Sequence, residues 1–132
     1  MTSWTEGRIR SFITSVLRAG SSRWPPKYET MNEAKTEKRI NEKTGRLAQH
    51  YLCAACCQEY TAKDVVVDHI DPVIHPKEGF VSWDVFIQRL YCDKDNLSVL
   101  CKVCHKIKSK EENEIRLHEM RKRKNSGGNV ER

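Results

Sequence analysis

Four of the six cysteines fall into two pairs of identical spacing, Cys53-Ala-Ala-Cys56 and Cys101-Lys-Val-Cys104. A C-x-x-C turn presents two thiolates to one ion. Two such turns close a four-sulfur tetrahedral shell, the arrangement of a structural zinc site. That shell leaves no position for a substrate, so its metal would hold the fold and do no chemistry. Cys57 lacks the two-residue gap, and Cys92 has no partner at ligand spacing, so Cys92 is assigned the role of a small buried hydrophobe. A second reactive group is more dispersed. Asp68 and His69 end the run Val65-Val66-Val67, Asn96 stands in the turn-forming stretch 93–97, and His105 directly follows Cys104. With Cys104 held beside Cys53, His105 is carried towards the strand that bears Asp68. A carboxylate and an imidazole from distant segments can then share a divalent ion, leaving His69 for proton transfer. His50, His75 and His118 have no such context and read as structural or solvent-exposed.

The rest of the chain must position these groups with little apolar material. Of 132 residues, 38% are hydrophobic and 32% charged, a thin supply that favours a metal staple. No N-terminal apolar segment has the pattern of a signal peptide, and no run reaches the ~18–20 apolar residues of a membrane span. Clustered cysteines in such a chain point to metal ligation in the cytoplasm rather than to disulfides. The net charge of +6 and pI near 9.1 suit a nucleic-acid partner without identifying one.

Helical periodicity over residues 6–19 puts Ile9, Phe12, Ile13, Val16 and Leu17 on one face, with Thr5 as N-cap and Gly20 as stop. Residues 21–29, through Pro25 and Pro26, predict an extended connector. Residues 30–45 predict an exposed helix or arm. The run Val65–His69 predicts a strand, 82–91 a short helix with Trp83, Phe86, Ile87 and Leu90 on one side, and Asn96–Cys101 a second strand. A long charged helix follows from about Lys106 to Lys124, then an irregular tail from Asn125.

The text "CAAC", then "VDHIDPV", then "DNLSVLCKVCHKIKS" resembles the HNH endonuclease family over roughly residues 50–110. The upstream stretch from Phe12 to Ala34 is more loosely similar to the leaders of small phage-encoded members, including free-standing homing endonucleases. The resemblance implies an α+β chain with a ββα-metal core stapled by the four-cysteine zinc site, an N-terminal helical extension and a long C-terminal helix. The family's signature residues map onto His69, Asn96 and His105. His69 would then be the general base and Asn96 the residue that holds it. Asp68 and His105 would carry one catalytic divalent ion, Mg²⁺ or Mn²⁺, with Ni²⁺ or Zn²⁺ as alternatives. Some members have a third ligand one helical turn after the last histidine. Here that position is Ser109, so two protein ligands are expected.

The implied divisions are a basic helical extension (1–45), a nuclease domain with its zinc (46–118), and a basic helix end with a tail (119–132). The expected partner is double-stranded DNA. Candidate phosphate contacts are Arg23, Lys27, Lys106 and Lys108, and the run Arg121, Lys122, Arg123 and Lys124. A homodimer or a phage terminase is compatible with the same reading, as is the cytoplasm of a host cell. Two other classes stay open: a zinc-stapled DNA-binding module without catalysis, and a packaging accessory active only with a terminase.

Overall fold

The computed structural model describes residues 3–130, with side chains as far as Asn125. The chain is α+β. Helix α1 (Glu6–Gly20) begins at Thr5, whose hydroxyl accepts the Arg8 N–H at 3.2 Å. Gly20 does not end it in a left-handed cap. The chain runs on through a 3-10 turn, Ser21–Arg23, into helix α2 (Pro25–Glu33). The expected connector is therefore helical, and Pro25 and Pro26 occupy its first turn. First-turn N–H groups have no intrahelical acceptor, so proline sacrifices nothing there, and its fixed φ suits the helix.

Residues 30–45 also depart from expectation. Strand β1 (Lys35–Ile40) forms an antiparallel hairpin with β2 (Leu47–Leu52), and β3 (Glu59–Thr61) pairs on the other side of β2. The turn is closed by Asn41 N–H to Arg46 O and Gly45 N–H to Asn41 O, both 2.7 Å, with Gly45 at φ +71°. β1 is exposed along its length. A polar sequence serves as an edge strand because the backbone ladder supplies its pairing, assisted by an Arg39–Glu59 ion pair at 2.9 Å. The sheet thus runs across residue 45.

A second unit follows. Strand β4 (Val65–His69) pairs antiparallel with β5 (Leu97–Cys101), and helix α4 (Lys102–Val130) continues directly from β5. Helix α3 (Trp83–Leu90) lies between the two strands in sequence and is capped by Ser82, whose hydroxyl accepts the Val85 N–H at 3.2 Å. The backbone of α4 stays helical past Asn125 to Val130, where an irregular tail was expected. Extending a nucleated helix adds one hydrogen bond per residue, which lets it pass Gly127 and Gly128. The last two tail residues, 131–132, lie outside the described residues.

Two small clusters hold much of the buried apolar surface, and Val65, Leu97 and Val99 of the ribbon are buried outside them. One comprises Cys53, Leu100 and Cys101, with Cys56, Tyr60 and Cys104 against it. The other comprises Val73, Phe86 and Leu90, joined by Leu17, Phe80, Trp83 and Tyr91. Only Leu17 of the α1 apolar face reaches a core, while Phe12 is 69% exposed. The amphipathic pattern is real, but most of that face has no covering element among the described residues. Helices α1 and α2 are nonetheless tied in. Tyr91 Oη donates to Leu17 O at 2.9 Å, and Trp24 Nε1 donates to Cys92 O at 2.6 Å. Cys92 is half-exposed rather than buried and sits 3.9 Å from Asn96 Nδ2.

Cys57, directly after the first cysteine pair, has φ +59°. An L-residue there costs about 1–2 kcal/mol, because Cβ crowds the following carbonyl. Cys57→Gly should therefore raise unfolding free energy by about 1 kcal/mol with zinc content unchanged. Urea denaturation of the two proteins measures it, and a loss of stability would mean that the Cys57 thiol makes a contact worth more than the strain.

Candidate metal centres and the cleft between them

The loop between β2 and β3 carries Cys53 and Cys56, and the junction of β5 with α4 carries Cys101 and Cys104. Ala54 N–H donates to Val99 O at 2.8 Å, pinning this loop on β5, and Cys53 N–H donates to Gln58 O at 2.9 Å. All four Sγ atoms lie within 4.8 Å of one another, with Cys56 and Cys101 4.0 Å apart. A tetrahedral zinc with Zn–S of about 2.3 Å has sulfur–sulfur edges of about 3.8 Å, so the cluster fits that ion. Backbone N–H groups aim at the sulfurs: Cys101 N–H to Cys53 Sγ at 3.3 Å, and Cys104 N–H to Cys101 Sγ at 3.4 Å. Burial by itself raises the Cys53 thiol, but the N–H groups of Cys56, Cys101 and Ala55 outweigh it and bring the pKa down to about 6. Cys101 is lowered similarly, against its burial, by the Cys104 N–H. Cys104 is pushed up to about 12, first by its bond with the Cys101 sulfur. Metal entry must therefore displace a proton from Cys104.

The far end of the β4–β5 ribbon holds the second group. Asp68 lies opposite Ser98 and His69 opposite Leu97. Asp68, His69 and His105 line one cleft of about 450 Å³, together with Pro72, Val73 and Ile74. His105 Nε2 is 3.6 Å from Asp68 Oδ1. The second carboxylate oxygen, Oδ2, accepts from Lys108 Nζ, which also donates to the carbonyls of His69 and Ile70. Lys108 is thus turned inward as an anchor of the strand end, rather than outward as a phosphate contact. An octahedral ion at about 2.1 Å separates adjacent ligands by about 3.0 Å, so the Oδ1–Nε2 pair needs little closure to share one.

His69 Nε2 lies 3.0 Å from Leu90 O. A carbonyl only accepts, so Nε2 carries the proton and Nδ1 keeps the lone pair. Burial, partly offset by the Leu90 hydrogen bond, lowers the His69 pKa from 6.5, with the Lys27 charge acting in the same direction. Asn96 makes no hydrogen bond to His69. Its Oδ1 accepts the Asp71 N–H at 2.9 Å, its Nδ2 donates to Asp71 O at 3.2 Å, and its own carbonyl accepts the Ile70 N–H at 2.8 Å. It clamps the two residues that follow His69.

The other expected phosphate contacts are scattered. Arg23 and Lys106 are exposed, and Lys27 Nζ donates to Ser21 Oγ at 3.2 Å. Arg121, Lys122 and Lys124 are exposed near the helix end, while Arg123 Nη2 donates to Lys77 O at 2.6 Å. Ser109 lines the cleft, as do Arg18 from α1 and Glu112 and Arg116 from α4; the two arginines belong to basic groups evident in the sequence, but their place beside Asp68, His69 and His105 was not expected. Spacings of four, seven and eleven from His105 place Ser109, Glu112 and Arg116 on its helix face, a signal that was available in the sequence. Arg18 could be read only as one of several N-terminal basic residues suited to phosphate, because nothing local says where α1 packs.

No helix among the described residues is long and apolar enough to cross a membrane. No family model, curated protein or solved structure matches the chain.

Removal of one sulfur tests the staple. Structural zinc contributes folding free energy on the order of 10 kcal/mol in small zinc domains, more than a core of this size can replace. Cys101→Ser should give unfolded or insoluble protein, and soluble variant protein with native circular dichroism and no zinc by elemental analysis would refute the role.

Proposed function

We propose that the chain is a divalent-metal-dependent endonuclease of the HNH type, hydrolysing phosphodiester bonds in DNA. In this reading β4, β5 and α4 form its ββα-metal unit, and zinc occupies the four-cysteine cluster as a structural ion. One observation carries the reading: Asp68 and His69 from the end of β4 and His105 from the start of α4 line a single cleft. These residues are 36 positions apart in sequence at the nearest, from His69 to His105, and a binding module has no need to bring them together.

Asp68 Oδ1 and His105 Nε2 would hold the divalent ion, which when bound supplies charge neutralisation at the phosphate and at the leaving 3′ oxygen. Lys108 fixes the carboxylate through Oδ2, so that Oδ1 stays towards His105. His69 takes the proton of the attacking water at Nδ1, because Nε2–H is committed to Leu90 O. Asn96 acts through Asp71 and Ile70, keeping the loop beyond His69 from shifting the imidazole. The products are a 5′-phosphate and a 3′-hydroxyl. One such site cuts one strand, so double-strand cleavage calls for a homodimer or two successive events. The phage-type upstream sequence makes homing or genome processing, with a terminase as partner, the biological settings that suit this activity.

His69→Ala should lower plasmid cleavage in Mg²⁺ or Mn²⁺ by ~10²–10⁴-fold, while zinc content and DNA affinity stay near wild type. Asp68→Ala and His105→Ala should also lose activity but regain some with excess metal, which His69→Ala should not. Wild-type rates in His69→Ala would leave the zinc-stapled DNA-binding module as the better reading.

The lowered His69 pKa sets a second expectation. Its neutral form persists to lower pH than that of a free imidazole, so the acid limb of kcat/KM should fall below pH 6.5. The same shift makes folded protein bind fewer protons than unfolded protein in that window, so His69 contributes stability above 6.5 that is lost as pH falls. A pH–rate profile of plasmid nicking with its acid limb above 6.5 would exclude His69 as the base.

A further inference from the structure

Arg18 and Arg116 come from opposite ends of the chain, yet both line the cleft of Asp68, His69 and His105. Neither forms an ion pair with a carboxylate among the described residues. The cleft contains two acids, and both are engaged by a different cation: Lys108 Nζ binds Asp68 Oδ2 and lies 3.9 Å from Glu112 Oε1. The Arg18 guanidinium instead lies over the Phe86 ring, 5.6 Å from its centroid, which supports the side chain without neutralising it. Although Arg18 is solvent-exposed as a whole residue, partial desolvation and then the Arg116 charge push its pKa below the usual guanidinium value. Two like charges converge where the two local carboxylates share one lysine and neither pairs with an arginine among the described residues. That arrangement is unfavourable for the protein alone and becomes favourable with an anion between them.

We propose that Arg18 and Arg116 form a two-arginine subsite for a nucleic-acid phosphate at the cleft of Asp68, His69 and His105. The planar guanidinium fork suits this ligand, since it matches phosphate oxygens two at a time. The proposal rests on the nuclease reading for the identity of the phosphate, but not for the existence of the anion site. It also gives α1 a task. The helix delivers Arg18 to the cleft one turn beyond Thr14, which lines it too, so the N-terminal segment is part of the binding machinery rather than an appendage. The two arginines would grip a phosphodiester of the bound strand while the centre below acts on it or on its neighbour.

The test uses full-length zinc-loaded protein without added Mg²⁺ or Mn²⁺, and inorganic phosphate as probe. Broadening of the orthophosphate ³¹P resonance should be seen with wild type and with Lys38→Ala, a change on the exposed strand β1, and should be lost in Arg18→Gln and in Arg116→Gln. Arg116 is exposed on α4, so its variant folds whatever Arg18 contributes to packing. For a fluorescent DNA duplex, each arginine variant should bind roughly tenfold more weakly, with a salt slope reduced by ~0.9 per lost phosphate contact. Arg18→Lys should retain most of the slope but not the full affinity. No broadening by wild type, or equal broadening by wild type and both glutamine variants, overturns the subsite. If wild type cuts no DNA with any divalent ion but the glutamine variants still lose phosphate binding, the nuclease reading fails and the subsite stands.

Discussion

The four-sulfur cluster, a cross-link once zinc occupies it, is the constraint on which the remaining structure depends. It joins the loop after β2 to the junction of β5 and α4, and so joins a three-stranded sheet to a two-stranded ribbon. The three-stranded sheet offers little apolar surface to the ribbon, although the ribbon itself buries Val65, Leu97, Val99 and Leu100. β1 is exposed along its length, and the cluster around the sulfurs adds only Leu100 and the partly buried Tyr60. Small domains with so little to bury are rescued by bonds whose energy does not scale with area, and metal–thiolate bonds are of that kind.

The second cluster, Val73, Phe86 and Leu90, serves a different purpose. It packs α3 against the loop that leaves β4, and its last member supplies the carbonyl that fixes the His69 tautomer. The cleft is therefore held from two sides. Cysteines lie at the Val65–Cys101 end of the ribbon, and the apolar cluster lies towards the His69–Leu97 end, about 13 Å of strand away over four residue steps. Asp68 and His69 stand where the two supports meet, and Asn96 closes the gap by binding Asp71 through both ends of its amide.

What could be read from sequence divides along a physical line. The cysteine spacing, the strands Val65–His69 and Leu97–Cys101, helix Trp83–Leu90 and the Thr5 cap were all legible. Each is a local pattern, decided within a few residues by periodicity, capping chemistry or ligand spacing. The failures are of two kinds. Pro25 and Pro26 were read as breakers, although proline breaks a helix only beyond its first turn. Lys35–Ile40 was read as helix or arm because its composition favours helix, whereas its state is set by a ladder with Leu47–Leu52 that local composition does not encode. The site shows the same divide. Asp68, His69 and His105 could be expected to converge from the cysteine frame, but Arg18 depends on how α1 docks, and the inward turn of Lys108 depends on the register of α4 against β4.

Cys104 and His105 are neighbours in the chain, and that adjacency affects how accurately the cleft can be built. Positions in a small, lightly packed protein wander, because side chains resting on few contacts have shallow minima. A residue joined by one peptide unit to a metal ligand inherits its placement from a coordination sphere whose bond lengths vary by only tenths of an ångström. With zinc on the four thiolates, the start of α4 becomes a fixed datum, and His105 is set against Asp68 by a dimension that does not loosen as the core breathes. Geometric tolerance at the cleft is thus uncoupled from the quality of the hydrophobic packing, so surface and core can diverge widely in sequence while the distance between these two side chains stays put.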